Sequence, residues 1–420
     1  MNAAAGGGVL PAPTRRLSLT EQFILSLHWF GLNFHWGALL AVVIPVEVLK
    51  FVPEDFKGRA LALVFAGGAF VAMVVMPIAG GLSDRSTARL GRRRPFIATG
   101  ALLNALALLA LAYAPTLALF VLAYWFVQFG NNFGGSAYSG LIPDLVPEEQ
   151  RGSASGFMGL MIMLGTVGGS VAAGELMRHR PILVYLLIVA VLMATMVVTV
   201  WRVHERPLRQ RVPFALREFL AGLWISPGRY PNFAWLFTSR FLALLGFYSI
   251  LAFLLFFLRD YMGIADYERA TGRLSAAVML GALTSAYVAG RLSDRIGRRP
   301  IVSASTLVMG VTILIFLVAP SFALMLPLGF IFGAGYGAFV SVEWALAIDV
   351  LPSPAEAAKY LGVWGISATL PQVIAPLIGG PVLDFGNLIR PSLGFVALLV
   401  MAAAYLVGGS LLIWKIRGIR

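Results

Sequence analysis

Apolar runs long enough to cross a bilayer, separated by short polar connectors, recur along the whole chain. Helices are expected near residues 22–46, 59–82, 95–114, 117–143, 153–176, 181–201, 231–258, 272–290, 300–318, 321–350, 357–383 and 389–415. A span needs about 20 apolar residues. Lipid offers a backbone no hydrogen-bond partner, so each span must satisfy its own groups as a helix. The first run, from about Ile24 to Val46, is too long for the apolar region of a signal peptide and reads as a retained first helix. The pattern predicts an all-α membrane protein with 12 transmembrane helices.

One polar connector occurs twice. Gly81-Leu82-Ser83-Asp84-Arg85 leads through Arg89 and Gly91-Arg92-Arg93-Arg94 to Pro95, which opens the next apolar run. Gly290-Arg291-Leu292-Ser293-Asp294-Arg295 leads through Gly297-Arg298-Arg299 to Pro300. The repeat extends further, because Asp144-Leu145-Val146-Pro147 closes the fourth span and Asp349-Val350-Leu351-Pro352 closes the tenth. Each follows a stretch of small residues. The domains expected are an N-terminal six-helix bundle over 1–201, a cytoplasmic linker over 202–230 and a C-terminal six-helix bundle over 231–420. Two such halves with binding between them is a recurring transporter plan. In the linker, Phe214 to Trp224 mixes apolar and charged positions and suits either an interfacial helix or a plain linker helix.

Composition agrees with burial in lipid. Of the 420 residues, 59% are hydrophobic and only 12% are charged; mean hydropathy is +0.85. Soluble domains carry about 25% charged residues. With no cysteine, disulfides and thiolate metal sites are excluded. The net charge of +13 resides in connectors, where it orients helices in a membrane rather than binding nucleic acid. Placing both termini in the cytoplasm puts most of the 32 Lys and Arg residues on the inner side, as the positive-inside bias requires. A multi-pass protein of the cell membrane, with the lipid bilayer and a small-molecule substrate as partners, follows; a monomer is expected.

With these residues in hand, the chain resembles the major facilitator superfamily, whose best-known motif is the Asp-Arg…Gly-Arg-Arg connector between the second and third spans. Ser83 to Ile97 resembles the same loop of sucrose and glycoside–cation symporters. Gly165-Thr166-Val167-Gly168-Gly169 lacks the proline that drug–proton antiporters usually carry there. The resemblance implies the fold of that superfamily, two pseudo-symmetric six-helix bundles. It also implies that Asp84, Arg85 and Arg92, and by repeat Asp294, Arg295 and Arg298, form a conformational latch. Gly81 and Gly290 would let helices approach closely.

An ionisable side chain at membrane depth costs roughly 2.5–3.5 kcal/mol on insertion scales, so it is a functional candidate by default. Glu343 in the tenth span, followed by Trp344, is the first. Arg240 in the seventh is the second, either paired with Glu343 or anchoring a helix end. In the first span His28, Asn33, His35 and Trp36 form a polar set; His35 either senses protons or is a buried neutral imidazole. The fourth span offers Trp125, Gln128, Asn131, Asn132 and Tyr138, residue types that hold sugars by amides and aromatic faces but also join helices. By the Asp144/Asp349 alignment, Tyr138 corresponds to Glu343. Gln372 lies near Pro371 and Pro376, where a bend would help a gate.

No Walker A loop, metal-ligand spacing or catalytic triad spacing is present in the sequence, so no enzyme and no cofactor are expected beyond a coupling ion, H+ or Na+. The leading expectation is a secondary transporter working by alternating access, carrying a sugar or glycoside by cation symport. The alternative is a proton-coupled exporter of amphipathic drugs or metabolites. A membrane receptor or lipid scramblase on the same fold is a third class.

Overall fold

The computed structural model describes residues 15–205, 226, 228–319, 321–350 and 357–417. The Phe214–Trp224 stretch and most of the expected linker lie outside the described residues. Among the described residues all regular structure is helical, and each expected span is a helix. They are α1 (Leu19–Val48), α2 (Lys57–Asp84), α3 (Arg94–Ala112), α4 (Leu117–Ser139), α5 (Arg151–Leu176), α6 (Pro181–Arg202), α7 (Pro231–Tyr261), α8 (Tyr267–Ile296), α9 (Arg298–Phe316), α10 (Phe322–Asp349), α11 (Ala357–Ile389) and α12 (Leu393–Leu412). Among the described residues, 11 helices are long and apolar enough to cross a membrane. The remaining long helix is α4, whose apolar run is diluted by Gln128, Asn131 and Asn132. The protein is a multi-pass membrane protein.

Local chemistry sets the helix ends. Ser18 and Glu21 form a capping box: the Ser18 hydroxyl accepts from the Glu21 amide (3.2 Å) and the Glu21 carboxylate from the Ser18 amide (2.8 Å), satisfying two otherwise orphaned donors. Gly91 (φ 109°) and Gly297 (φ 96°) stand before α3 and α9, where any residue with a Cβ would be strained. One π-helical turn interrupts α1 at Leu39–Val43 and another ends α7 at Phe257–Tyr261.

The chain divides into two compact units. The first holds residues up to Leu39, then Phe70–Ala172, and then Leu176 through α6. Here α3 packs along α4 and α6, and α1 against α6. A Cβ on Gly100 would lie 2.7 Å from the Gly130 carbonyl, so α3 and α4 meet backbone to backbone, as small residues permit in membrane helices. The second unit holds Leu40–Ala69, Ala173–Glu175 and α7 to α12. In it α8 packs along α10, α9 against α10 and α12, and α7 against α11 and α12.

Candidate functional site

The ionisable residues expected at membrane depth meet in the second unit. Arg240 of α7 brings its Nε to 3.6 Å from Glu343 Oε2 of α10. The Glu343 side chain is 2% exposed and that of Arg240 14%. Trp364 of α11 completes the group: the Arg240 guanidinium carbon lies 3.2 Å from the centroid of its ring. Trp344, next to Glu343, packs edge-on against Trp364 at 4.7 Å and is itself half exposed. Tyr248 and Tyr336 face Arg240, and Tyr336 stacks on Phe247 at 4.1 Å. Several buried polar atoms in this group make no hydrogen bond: Arg240 Nε and Nη1, Glu343 Oε1 and Trp364 Nε1. Buried polar atoms are normally satisfied. Donors from α7 and α11 and an acceptor from α10 thus remain without hydrogen-bond partners in one buried group.

The matching position in the first unit carries no charge. The Tyr138 hydroxyl donates to the Leu25 carbonyl of α1 (2.5 Å), and Trp29 and His28 pack on its ring. Tyr138 of α4 therefore touches α1 as its counterpart Glu343 of α10 touches α7. His28 Nδ1 is 3.0 Å from the Thr195 hydroxyl. His35 is fully buried against Trp36 and Asn104. Asn33 turns back to the Trp29 carbonyl (2.8 Å).

The amides of α4 are largely spoken for. Gln128 donates to the Tyr124 hydroxyl (2.8 Å) and Asn132 donates to Gln128 Oε1 (3.0 Å). Asn131 accepts from Asn104 of α3 (3.3 Å), which makes it an interhelical bond at the tight α3–α4 contact. Trp125 Nε1 is buried without a partner. In α11 Gln372 donates to the Ala368 carbonyl of its own helix (3.2 Å), within a segment holding Pro371, Pro376 and Pro381.

Each duplicated connector brings an arginine onto the aspartate that closes the fourth or the tenth span, within its own unit. In the first, Arg93 Nη2 holds Asp84 (2.7 Å) and Arg93 Nε holds Asp144 (2.5 Å). Arg92 pairs with the other oxygen of Asp144. In the second, Arg298 pairs with Asp349 (2.5 Å) and donates to the Ala345 carbonyl. Counted back from Pro95 and Pro300, the equivalent of Arg298 is Arg93 rather than the Arg92 that the motif resemblance implies. Small residues match as well: a Cβ on Gly80 would meet the Ser136 hydroxyl at 2.8 Å and one on Gly290 the Ser341 hydroxyl at 3.3 Å. Gly81 instead receives Arg85 on its carbonyl (2.8 Å). Asp294 and Arg295 are exposed.

Two further carboxylates hold helix N-termini, where the helix dipole favours negative charge. Glu205, beyond the end of α6, accepts from the backbone amides of Arg93 (2.6 Å) and Arg94 (2.7 Å). Burial pushes its carboxyl above the usual glutamate range. Asp384 of α11 accepts from the amides of Gly58 and Arg59 at the start of α2 (2.8 Å each) and from Arg59 Nε (3.0 Å). The only signal in the sequence for Asp384 is an acidic residue near the end of an apolar run. Among the described residues no group of three or more His, Cys, Asp or Glu comes together as a metal site.

The MFS/sugar transport protein family matches residues 56–408. The chain belongs to that family. It is therefore a transporter, and its fold is that of the major facilitator superfamily. Among curated relatives, the multi-drug resistance efflux pump PmrA of Streptococcus pneumoniae is 26% identical over 377 residues, covering 85% of this chain and 88% of that protein. The general alpha-glucoside permease of Schizosaccharomyces pombe is 26% identical over 304 residues, 62% of this chain and 53% of the permease. Sucrose transport protein SUC4 of Arabidopsis thaliana is 26% identical over 157 residues, 33% of this chain and 30% of that protein. In three dimensions, the nucleoside transporter NupG superposes with a TM-score of 0.75 at 14% identity, covering 96% of this chain and 100% of NupG. A bacterial homolog of the lysosomal transporter Spinster superposes at 0.69 and 16% identity, covering 94% of this chain and 95% of that one.

Proposed function

We propose that this transporter moves a sugar or glycoside across the cell membrane by proton-coupled symport and alternating access, with Glu343 as the proton carrier and Arg240 as its counter-ion. The observation that carries the reading is the buried Arg240–Glu343 contact, with unpartnered donor and acceptor atoms beside two tryptophans. A sugar hydroxyl donates and accepts at once, so it can bridge Glu343 Oε1 and Arg240 Nη1. Trp344, half exposed, supplies an aromatic face for its C–H surface. The alpha-glucoside and sucrose relatives, and the symporter-like Ser83–Ile97 loop, support the substrate class. The duplicated arginine connectors support cytoplasmic termini and a latch role for Asp84, Asp144 and Arg93 in one unit and Arg298 and Asp349 in the other.

A second reading is export of amphipathic compounds in exchange for protons. The extent of the match to PmrA favours it, as do the aromatic rings around Arg240.

Charge movement in proteoliposomes adsorbed to a solid-supported membrane separates the two. A panel of disaccharides and glycosides is applied with and without Glu343→Gln. The expected result is a transient current for one sugar, scaling with the proton gradient and abolished in the variant. Silence across the sugars in folded protein, with current evoked by lipophilic cations, transfers the assignment to export.

A further inference from the structure

Arg240 has two partners of different kinds, and the nearer one is not the carboxylate. Its guanidinium lies on the face of Trp364 at 3.2 Å, while its closest approach to Glu343 is 3.6 Å. Trp364 is itself fully buried and braced edge-on by Trp344. The titratable groups facing the pair are Tyr248 on α7 and Tyr336 on α10; α11 brings the uncharged indole.

These partners respond differently to a proton. The charge–charge attraction between a guanidinium and a carboxylate is lost when the carboxylate is protonated, leaving only a neutral acceptor oxygen. The attraction to an aromatic quadrupole persists. A buried arginine short of partners is strongly unfavourable, so without the indole, loading a proton on Glu343 would leave the guanidinium that oxygen alone. With the indole in place, Arg240 has somewhere to rest in both states.

We propose that Trp364 is a positioning residue that holds Arg240 while Glu343 carries a proton and yields it to the carboxylate when the proton leaves. It thereby sets the pH at which the carrier loads. This rests on the reading of Glu343 and Arg240 as the coupling pair. The step is an exchange of non-covalent partners: the proton enters and leaves on Glu343, and no bond forms or breaks elsewhere. Removing the ring leaves Arg240 dependent on the carboxylate alone, favours the ionised pair and moves loading to lower pH. An aromatic replacement preserves it.

The test uses the proton as its own probe. Full-length protein in liposomes is followed by infrared difference spectroscopy as pH is stepped, and the protonated-carboxyl band of Glu343 is identified by its loss in Glu343→Gln. In Trp364→Leu the titration midpoint should fall by about one pH unit, a tenfold change in proton affinity. In Trp364→Phe it should stay close to wild type. Trp364→Met is measured in parallel, so that a folding defect in the leucine variant does not decide the matter. Midpoints unchanged in Leu and Met overturn the role of Trp364 alone. Absence of any Glu343 band in the wild type over the whole range overturns the coupling reading, and this proposal with it.

Discussion

Asp384 holds the first turn of α2 through Gly58: its Oδ1 accepts the Gly58 amide at 2.8 Å, and the two backbones meet so closely that a Cβ on Gly58 would sit 2.6 Å from the Gly380 carbonyl. The Asp384 side chain is 0% exposed, and its other oxygen takes the Arg59 amide and Nε. Removing a buried charged partner costs about 3–5 kcal/mol. Asp384→Ala should accordingly lower the melting temperature in detergent severely. Asp384→Asn keeps an acceptor oxygen and should lose less. Equal melting of Asp384→Ala and wild type would show that the cap contributes nothing.

Glu205 gives a pH dependence outside the membrane spans. Desolvation raises its carboxyl, the amides of Arg94 and Arg93 and the Arg93 charge oppose that, and Asp144 adds to it. A carboxyl raised in the folded state binds protons more tightly there than in the unfolded chain. Its share of stability is therefore fully present below the unfolded glutamate value of about 4.3 and is lost as pH rises through its raised folded value. Glu205→Gln cannot ionise but keeps its acceptor oxygen. From the ordinary glutamate range upward, wild-type melting temperature should decline relative to that of Glu205→Gln. Glu205→Ala loses the cap of α3 and should be destabilised at all pH values by about 1 kcal/mol.

The α3–α4 contact predicts a steric result. Gly100 faces Gly130 and Gly134 without room for a side chain. Overpacking typically costs about 1–3 kcal/mol, so Gly100→Val should fall by about that amount or force the helices apart. Gly156 of α5 has open space where a Cβ would stand, with nothing within 4 Å. Gly156→Ala should be neutral or stabilising by up to about 1 kcal/mol, given the helix preference for alanine. Thermal melts of both variants check the pair.

Much of this architecture is written in hydropathy because a bilayer permits little else. Helix α7 shows the principle, since any run as apolar as Pro231–Tyr261 must pair its own backbone. Charge at membrane depth marks Glu343 and Arg240 as candidates, but the sequence leaves Arg240 open between pairing with Glu343 and anchoring a helix end, and only the fold brings the two together. Trp364 was not legible, because a tryptophan in an apolar run looks like any other until the fold lays a guanidinium on it. Arg93 was hidden by its neighbours: three consecutive arginines are alike in sequence, and only the start of α3 decides which of them reaches both Asp84 and Asp144. Asp384 and Glu205 act on backbone amides far away in the chain, which no local spacing records.

The Arg240–Glu343 pair permits a separation of stability from coupling. Arg240→Met leaves a carboxylate buried without a counter-ion, which typically costs about 3–5 kcal/mol. Glu343→Gln leaves the guanidinium on Trp364, a desolvated contact worth about 2 kcal/mol, so this variant should be the milder of the two. Replacing both partners together removes two desolvation penalties along with one attraction, and such exchanges are often neutral or stabilising. Arg240→Met combined with Glu343→Gln should therefore melt above the Arg240→Met single variant and near the wild type. Proton-coupled current should stay absent in that double variant, because no carboxyl remains to carry the proton. Recovery of coupled current along with stability would show that the pair is structural and that the proton travels elsewhere.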